Sequence, residues 1–360
     1  MIGVITAFAL SFVISLSIMP TYIKFLVKNH YGQFVREDGP TQHLITKRGT
    51  PTMGGVVIIA SVIIGWLCGN LANGRRPDYS GLILVFLFLG LGIIGFLDDF
   101  IKISKHQSLG LNPLGKITGQ LVVGSIFAVL AMLNPNNDGL TPGSFDIEVT
   151  SQVALNLAFL GIPVAVVLFL IWANFLVAAW SNAVNLTDGL DGLATGCSIA
   201  AFIGYILISY WQANHYCGGD AYLGCYEVRD ALGVAIFCAA IVGALIGFLW
   251  YNASPAKIFM GDTGALALGG AFAGVSIVTN TEILAIFVGG LFVVVTLSDV
   301  IQIVVFKRAG KRVFKMAPLH HHFELKGWQE VTIVTRFWII SALFALVGIG
   351  IFYADWLAVS

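Results

Sequence analysis

The chain has 360 residues, of which 58% are hydrophobic and only 11% charged, with a mean hydropathy of +0.89. A water-soluble domain carries about 25% charged residues, so the polar side chains are too few to cover a water-facing surface and the bilayer is the expected solvent. The formal net charge is zero, which says nothing about partners by itself; no nucleic-acid partner is expected.

In chain order, apolar windows of roughly 17 residues or more predict ten spans. They cover Ile2–Val27, Thr52–Ala72, Gly81–Leu97, Ile117–Leu133, Val153–Trp180, Gly192–Trp211, Ala231–Trp250, Ala265–Thr279, Ile283–Phe306 and Thr332–Phe352. The runs are continuous and helix-length, whereas a membrane β-barrel shows short alternating segments. Helices satisfy their own backbone groups within one segment, so the expected fold class is an all-α polytopic membrane protein, one domain over residues 1–360. The first span is read as an uncleaved helix, because its positive charges, Lys24 and Lys28, follow the apolar run instead of preceding it.

Lysine and arginine divide unevenly between alternate connections. Sixteen of the 19 fall on one side, and only Arg75, Arg76 and Arg229 fall on the other. Basic residues collect on the cytoplasmic side, so the richer side is expected inside and both termini outside. The outer connections read as spacers: Asn134 to Gln152 is polar and turn-rich, suggesting a small hairpin. Cys217 and Cys225 share the connection Ala213 to Asp230, where a disulfide in an oxidising exterior and two free thiols are both open.

Five informative segments, KRGTPTMGG (Lys47–Gly55), FLDDF (Phe96–Phe100), NAVNLTDGLDGLA (Asn182–Ala194), YNASPAKIFMGDTGALALGG (Tyr251–Gly270) and FKMAPLHHHFELKGW (Phe314–Trp328), all fall on the inner side by this parity. They carry Asp98, Asp99, Asp188, Asp191 and Asp262. Acids at a membrane boundary often mark only the interface, but five on one face suit a hard cation such as Mg²⁺ held by one or two carboxylates with substrate phosphates. Asp188 and Asp191, three apart, would share a face of a helix. Asp98 and Asp99 project about 100° apart, which predicts two distinct roles. Gly189 and Gly192 let a ligand approach the backbone, while Gly264, Gly269 and Gly270 read as close helix packing. The triplet His320, His321 and His322 is a poor transition-metal set. A solvated loop or donors to phosphate and sugar oxygens remain open, and the nearby basic run with Lys47, Arg48 and Lys116 supports the second. Acids and bases on one face fit a metal-bound diphosphate.

Together these segments resemble the phospho-N-acetylmuramoyl-pentapeptide transferase family, a branch of the polyprenyl-phosphate N-acetylhexosamine-1-phosphate transferases. The acidic segments mark the wider superfamily; TPTMGG and the MAPxHHHxELKGW pattern mark this branch. The resemblance implies ten helices, a homodimer, a cytoplasmic-face site in the bacterial plasma membrane, and a Mg²⁺ requirement. It implies transfer of phospho-MurNAc-pentapeptide from UDP-MurNAc-pentapeptide to undecaprenyl phosphate, giving lipid I and UMP. It further implies Asp98, Asp99 and Asp262 as catalytic aspartates, with Asp262 the metal ligand. Asn185, Asp188, Gly189, Leu190 and Asp191 would form the donor site, with Asp191 at the uracil edge, Phe259 stacked on the ring, and Lys47 and Asn252 lining the pocket. Lys116 and His320 to His322 would contact phosphate or sugar. One departure is Val295, which stands where the family often has a glutamate, with Asp299 four residues on. The rival expectations are a sister enzyme using UDP-GlcNAc and, from another class, an ion-coupled transporter, whose charges would sit near the midplane and whose halves would repeat.

Overall fold

The computed structural model describes residues 1–29, 31–32, 49–74, 76–105, 107, 110–150, 153–217 and 223–359, with the side chains of 149–150 excepted. Lys47 and Arg48 lie outside the described residues. Ten of the described helices are long and apolar enough to cross a membrane. They are α1 (Ile2–Lys28), α2 (Gly55–Ala72), α3 (Tyr79–Ser104), α4 (Pro113–Ala131), α5 (Ile162–Thr187), α6 (Leu193–Asn214), α7 (Ala231–Asn252), α8 (Gly261–Val278), α9 (Gly290–Ala309) and α10 (Glu330–Val359). The chain is a multi-pass membrane protein.

Local chemistry sets several of the helix starts. The carboxylate of Asp78 accepts from the backbone N–H of Gly81 at 2.7 Å and begins α3. The amide oxygen of Asn112 accepts from the Gly115 N–H at 2.6 Å, with Pro113 in the first turn of α4. Gly310, at φ +64°, closes α9.

Helix α8 sits at the centre, packed by α3 and α5 along its length and touched by α2. Nearly every residue from Thr263 to Val278 is buried. Its small side chains let neighbours approach closely: Gly269 lies against the backbone of Trp180 and Gly270 against the side chain of Leu91, which is packing of the kind expected for these glycines. Around α8 the helix α7 packs on α1, α2 and α6, while α10 packs on α6. Outward-facing Ile, Leu, Val and Phe of α1, α5, α9 and α10 remain exposed, as a lipid-facing surface requires.

The fifth span begins later than its hydropathy implies. Val153–Asn156 is a strand paired antiparallel with Asp146–Thr150, in the register Asp146↔Asn156 and Ile147↔Leu155. A 3₁₀ turn, Leu157–Leu160, follows and ends at Gly161, whose φ of +97° stops it before Ile162 starts α5. The apolar run thus divides between a hairpin and a helix, because hydropathy does not distinguish a strand from the first turns of a span. The ninth span is likewise divided, into a single turn at Ala285–Val288 and then α9. Cys217 and Cys225 are joined by a disulfide, with Cα atoms 4.9 Å apart.

Candidate active site

Asp98 and Asp99 lie inside α3, not at its end, because the helix runs on to Ser104. Asp262 occupies the first turn of α8. Carboxylate oxygens from the three lie within 4.8 Å of one another. The approach depends on Gly95, one turn before Asp99 on α3: a Cβ there would fall 2.1 Å from the carbonyl oxygen of Asp262. No other residue lets the two helix backbones meet so closely at this point.

The two adjacent aspartates do different work, as their divergence on the helix predicts. Asp99 is buried and serves α8. One of its oxygens accepts from the backbone N–H of Asp262 at 3.2 Å; the other accepts from the Thr263 N–H at 3.0 Å and the Thr263 hydroxyl at 2.7 Å. It caps α8 from another helix and meets the positive end of that helix's dipole. Asp98 turns toward the α3–α4 connection, and its Oδ1 accepts from the Leu111 N–H at 2.8 Å. Its Oδ2 faces the ammonium of Lys102 at 2.6 Å.

Lys102 is the residue that sequence reasoning missed, having entered it only as a charge on the inner side. Its Nζ lies 3.1 Å from Asp262 Oδ2 and 3.8 Å from Asp99 Oδ1. Lys116, at the start of α4, reaches the same Asp262 oxygen at 2.8 Å. The spacing of Lys102 from Asp99 and Asp98, three and four residues along one helix, was the available signal.

The second half of the site is made of loops. α5 ends at Thr187, so Asp188 to Gly192 form a turn and Asp188 and Asp191 do not share a helix face; the helix leaves its regular conformation at Asp188, at φ −78° and ψ 48°, and Gly192 at φ +75° then starts α6. Leu190 is buried in the core, Gly189 is half-buried, and Asn185 lies on the last turn of α5. Asp191 is buried and ties loops together: its backbone N–H donates to Glu330 Oε1 at 2.8 Å, and its Oδ2 accepts from the Ala256 N–H at 3.0 Å. Glu330, in the first turn of α10, was also missed, since nothing in one dimension links it to residue 191. The indole N–H of Trp338 donates to the Gly192 carbonyl at 3.1 Å.

Asn252 is buried and faces inward, accepting from the Thr195 hydroxyl at 2.7 Å and donating to the Ile258 carbonyl at 2.9 Å. It shapes the loop that presents the half-buried Phe259. That loop pairs with the TPTMGG segment, because Phe259 N–H donates to the Pro51 carbonyl while Gly54 and Gly55 donate to the carbonyls of Phe259 and Met260.

The three histidines sit on a short helix, Leu319–Glu324, and have three different environments. His320 is fully buried against Gly189, where a Cβ would fall 2.3 Å from its Nε2. His321 Nδ1 is 2.6 Å from the Glu324 carboxylate. His322 Nδ1 accepts from the Lys315 N–H at 3.0 Å. Desolvation, then the ammonium groups of Lys326 and Lys315, holds its imidazole below the usual range, toward the neutral form that can accept. His320 thereby joins the histidine segment to the 188–192 turn, and Asp191 joins that turn to the loop preceding Asp262.

The donor set is all carboxylate oxygen, with no sulfur or imidazole in it, which fits a hard divalent cation. That an ammonium already lies among the three acids shows that this pocket accommodates a cation. Oxygen ligands, paired lysines and a buried loop cluster on one end of a helical membrane bundle make an arrangement that could bind a cation and phosphate groups.

Comparison with known proteins agrees with this reading. The model of glycosyl transferase family 4 matches residues 81–280, and a phospho-N-acetylmuramoyl-pentapeptide-transferase signature matches residues 47–59. The chain is 60% identical to the phospho-N-acetylmuramoyl-pentapeptide-transferase of Beutenbergia cavernae, covering 99% of each chain. It is 52% identical to that of Paenarthrobacter aurescens over 99% of each, and 54% identical to that of Kineococcus radiotolerans over 98% of each. The chain belongs to the phospho-N-acetylmuramoyl-pentapeptide-transferase family.

Proposed function

We infer that this protein moves phospho-MurNAc-pentapeptide from its UDP carrier to undecaprenyl phosphate, producing lipid I and UMP. The observation that carries the reading is the convergence of Asp98, Asp99 and Asp262 beside Lys102 and Lys116, next to a loop cluster built from the segments that mark the family. The acceptor phosphate attacks the sugar-bearing phosphorus; a new anhydride forms, the old one breaks, and the electron pair leaves with UMP. A phosphate monoester has a second pKa near 6, so at neutral pH the acceptor is mostly a dianion and needs positioning more than deprotonation. Direct attack is therefore favoured over a covalent aspartyl route. Asp99 supports this, because both its oxygens are committed to α8.

In this scheme Asp98 orients the acceptor and takes any residual proton. Asp262, with Asp98, would hold Mg²⁺, which when bound supplies charge neutralisation to the diphosphate. Lys116 and Lys102 offset repulsion between the two anionic substrates. The buried Leu190 would act from the core by anchoring the 188–192 turn, while Asn185, Asp188, Gly189 and Phe259 would form the nucleotide pocket with Lys47. Asp191 and Asn252 would act there by fixing its loops, and His320 to His322 would frame the sugar phosphate. The excess of basic residues at this end favours a cytoplasmic site in the bacterial plasma membrane. The Cys217–Cys225 disulfide in an outer connection agrees, since such bonds persist in oxidising surroundings. The homodimer rests on family likeness alone.

The test is UMP release by the purified protein given UDP-MurNAc-pentapeptide, undecaprenyl phosphate and Mg²⁺. Release should require all three and fall by about 100-fold or more in Asp262→Asn. Turnover of UDP-GlcNAc with no release from the muramoyl donor would refute the donor assignment, and a trapped aspartyl-phosphosugar would refute direct attack.

A further inference from the structure

Three carboxylates with oxygens within 4.8 Å of one another repel strongly unless a cation lies among them. Here that cation is the ammonium of Lys102, 2.6 Å from Asp98 Oδ2 and 3.1 Å from Asp262 Oδ2. Lys116 touches only Asp262. Lys102 stands four residues after Asp98 on α3, so the helix itself delivers the charge to this position. The remaining oxygens are largely committed: Asp98 Oδ1 to Leu111 N–H, and both oxygens of Asp99 to the start of α8. Two oxygens placed to bind an ion, Asp98 Oδ2 and Asp262 Oδ2, are those that Lys102 holds, the second of them shared with Lys116. A Mg²⁺ ion bonds oxygen at about 2.0–2.1 Å, so an ion shared by these two oxygens would take the space of Nζ.

We propose that Lys102 is a tethered counter-cation that competes with the divalent metal for Asp98 and Asp262 and keeps the substrate-free site closed. The inference rests on the transferase reading for the arrival of a diphosphate. That anion gives the ammonium an alternative partner, and its transfer to the diphosphate oxygens frees Asp98 Oδ2 and leaves Asp262 Oδ2 to Lys116 alone. The long, flexible lysine stem permits the move without shifting α3, and its side chain is 26% exposed. Lys102 thus couples loading of the metal to loading of the donor, so that neither charge is left unbalanced in the membrane boundary.

The experiment measures Mn²⁺ binding to the full-length, substrate-free protein in detergent, from the paramagnetic resonance signal of free Mn²⁺. Lys102→Met and Lys102→Gln should bind Mn²⁺ ~10-fold or more tightly than the wild type, while Lys102→Arg, which keeps the charge, should not. Without metal the two neutral variants should unfold at lower temperature, and Mg²⁺ should restore them. The glutamine variant retains a polar group and provides the reading if the methionine variant does not fold. Unchanged or weaker Mn²⁺ binding in the neutral variants overturns the proposal, whatever the turnover. Tighter binding in the neutral variants, with no UMP release by the wild-type protein, would leave it standing and sink the transferase reading instead.

Discussion

At the scale of single residues, the site separates side chains spent on holding its helices from side chains that face the Lys102 ammonium. Asp99 and Asp98 are neighbours in sequence, yet one caps a helix while the other faces the cation. The buried Thr263 hydroxyl, 2.7 Å from Asp99 Oδ2, is one of three donors to that carboxylate. Thr263→Val keeps the shape and deletes the donor, so it should cost about 2 kcal/mol of stability. The readout is the thermal unfolding midpoint in detergent; an unchanged midpoint would mean that Asp99 does not hold α8. Asp98, Asp99 and Asp262 were legible as a group because each stands in a short acidic segment beside an apolar run. Lys102 was not, since one lysine among many at a membrane edge looks like a topogenic charge until α8 is packed beside it. Glu330 is similar: its bond to Asp191 spans 139 positions.

At the scale of elements, the decisive contact is the approach of α3 to the start of α8. Gly95 permits it, and a methyl group there would meet backbone, not a movable side chain. Gly95→Ala should therefore push Asp262 away from Asp98 and lower UMP release by ~100-fold, with helix content unchanged by circular dichroism. Near-normal turnover in that variant would show that the acids need not meet this closely. Hydropathy located all ten helices but misjudged the entry to α5, where four residues of strand and a 3₁₀ turn precede the span. An apolar strand and an apolar helix present the same composition, and only pairing with Asp146–Thr150 separates them. The 188–192 loop departs from helical periodicity for a local reason, because α5 stops at Thr187 and the chain turns through Asp188 to Gly192 before α6 begins.

At the scale of the whole molecule, the bundle carries a second concentration of acid at the end opposite the site, around the hairpin. Glu148 is raised to about 7 by burial, then by Asp355, Asp146 and Glu227. Glu282, in the connection after α8, is raised to about 8, chiefly by burial with a contribution from Glu148. Both folded values lie above the usual 4.5, so the native state holds protons that the unfolded chain has lost. Their contribution to stability is full below pH ~4.5 and disappears as pH rises through ~7 to 8. Resistance to unfolding should fall across that window, and Glu148→Gln with Glu282→Gln should flatten the fall. A midpoint that rises with pH over this range would contradict the assignment.

What the sequence determined by itself was solvent, span number, expected orientation and reaction family. Those follow from composition, from run length against bilayer thickness, from the bias of lysine and arginine, and from short segments whose residues are adjacent in the chain. What only the tertiary structure decided was which charges meet. Close packing of α3 against α8 makes one centre of three acids, two of them one turn from Lys102, and fixes which oxygens are spent on the fold and which remain for a cation. The Coulomb interaction depends on separations of a few ångströms, and no separation across 160 residues is written in one dimension.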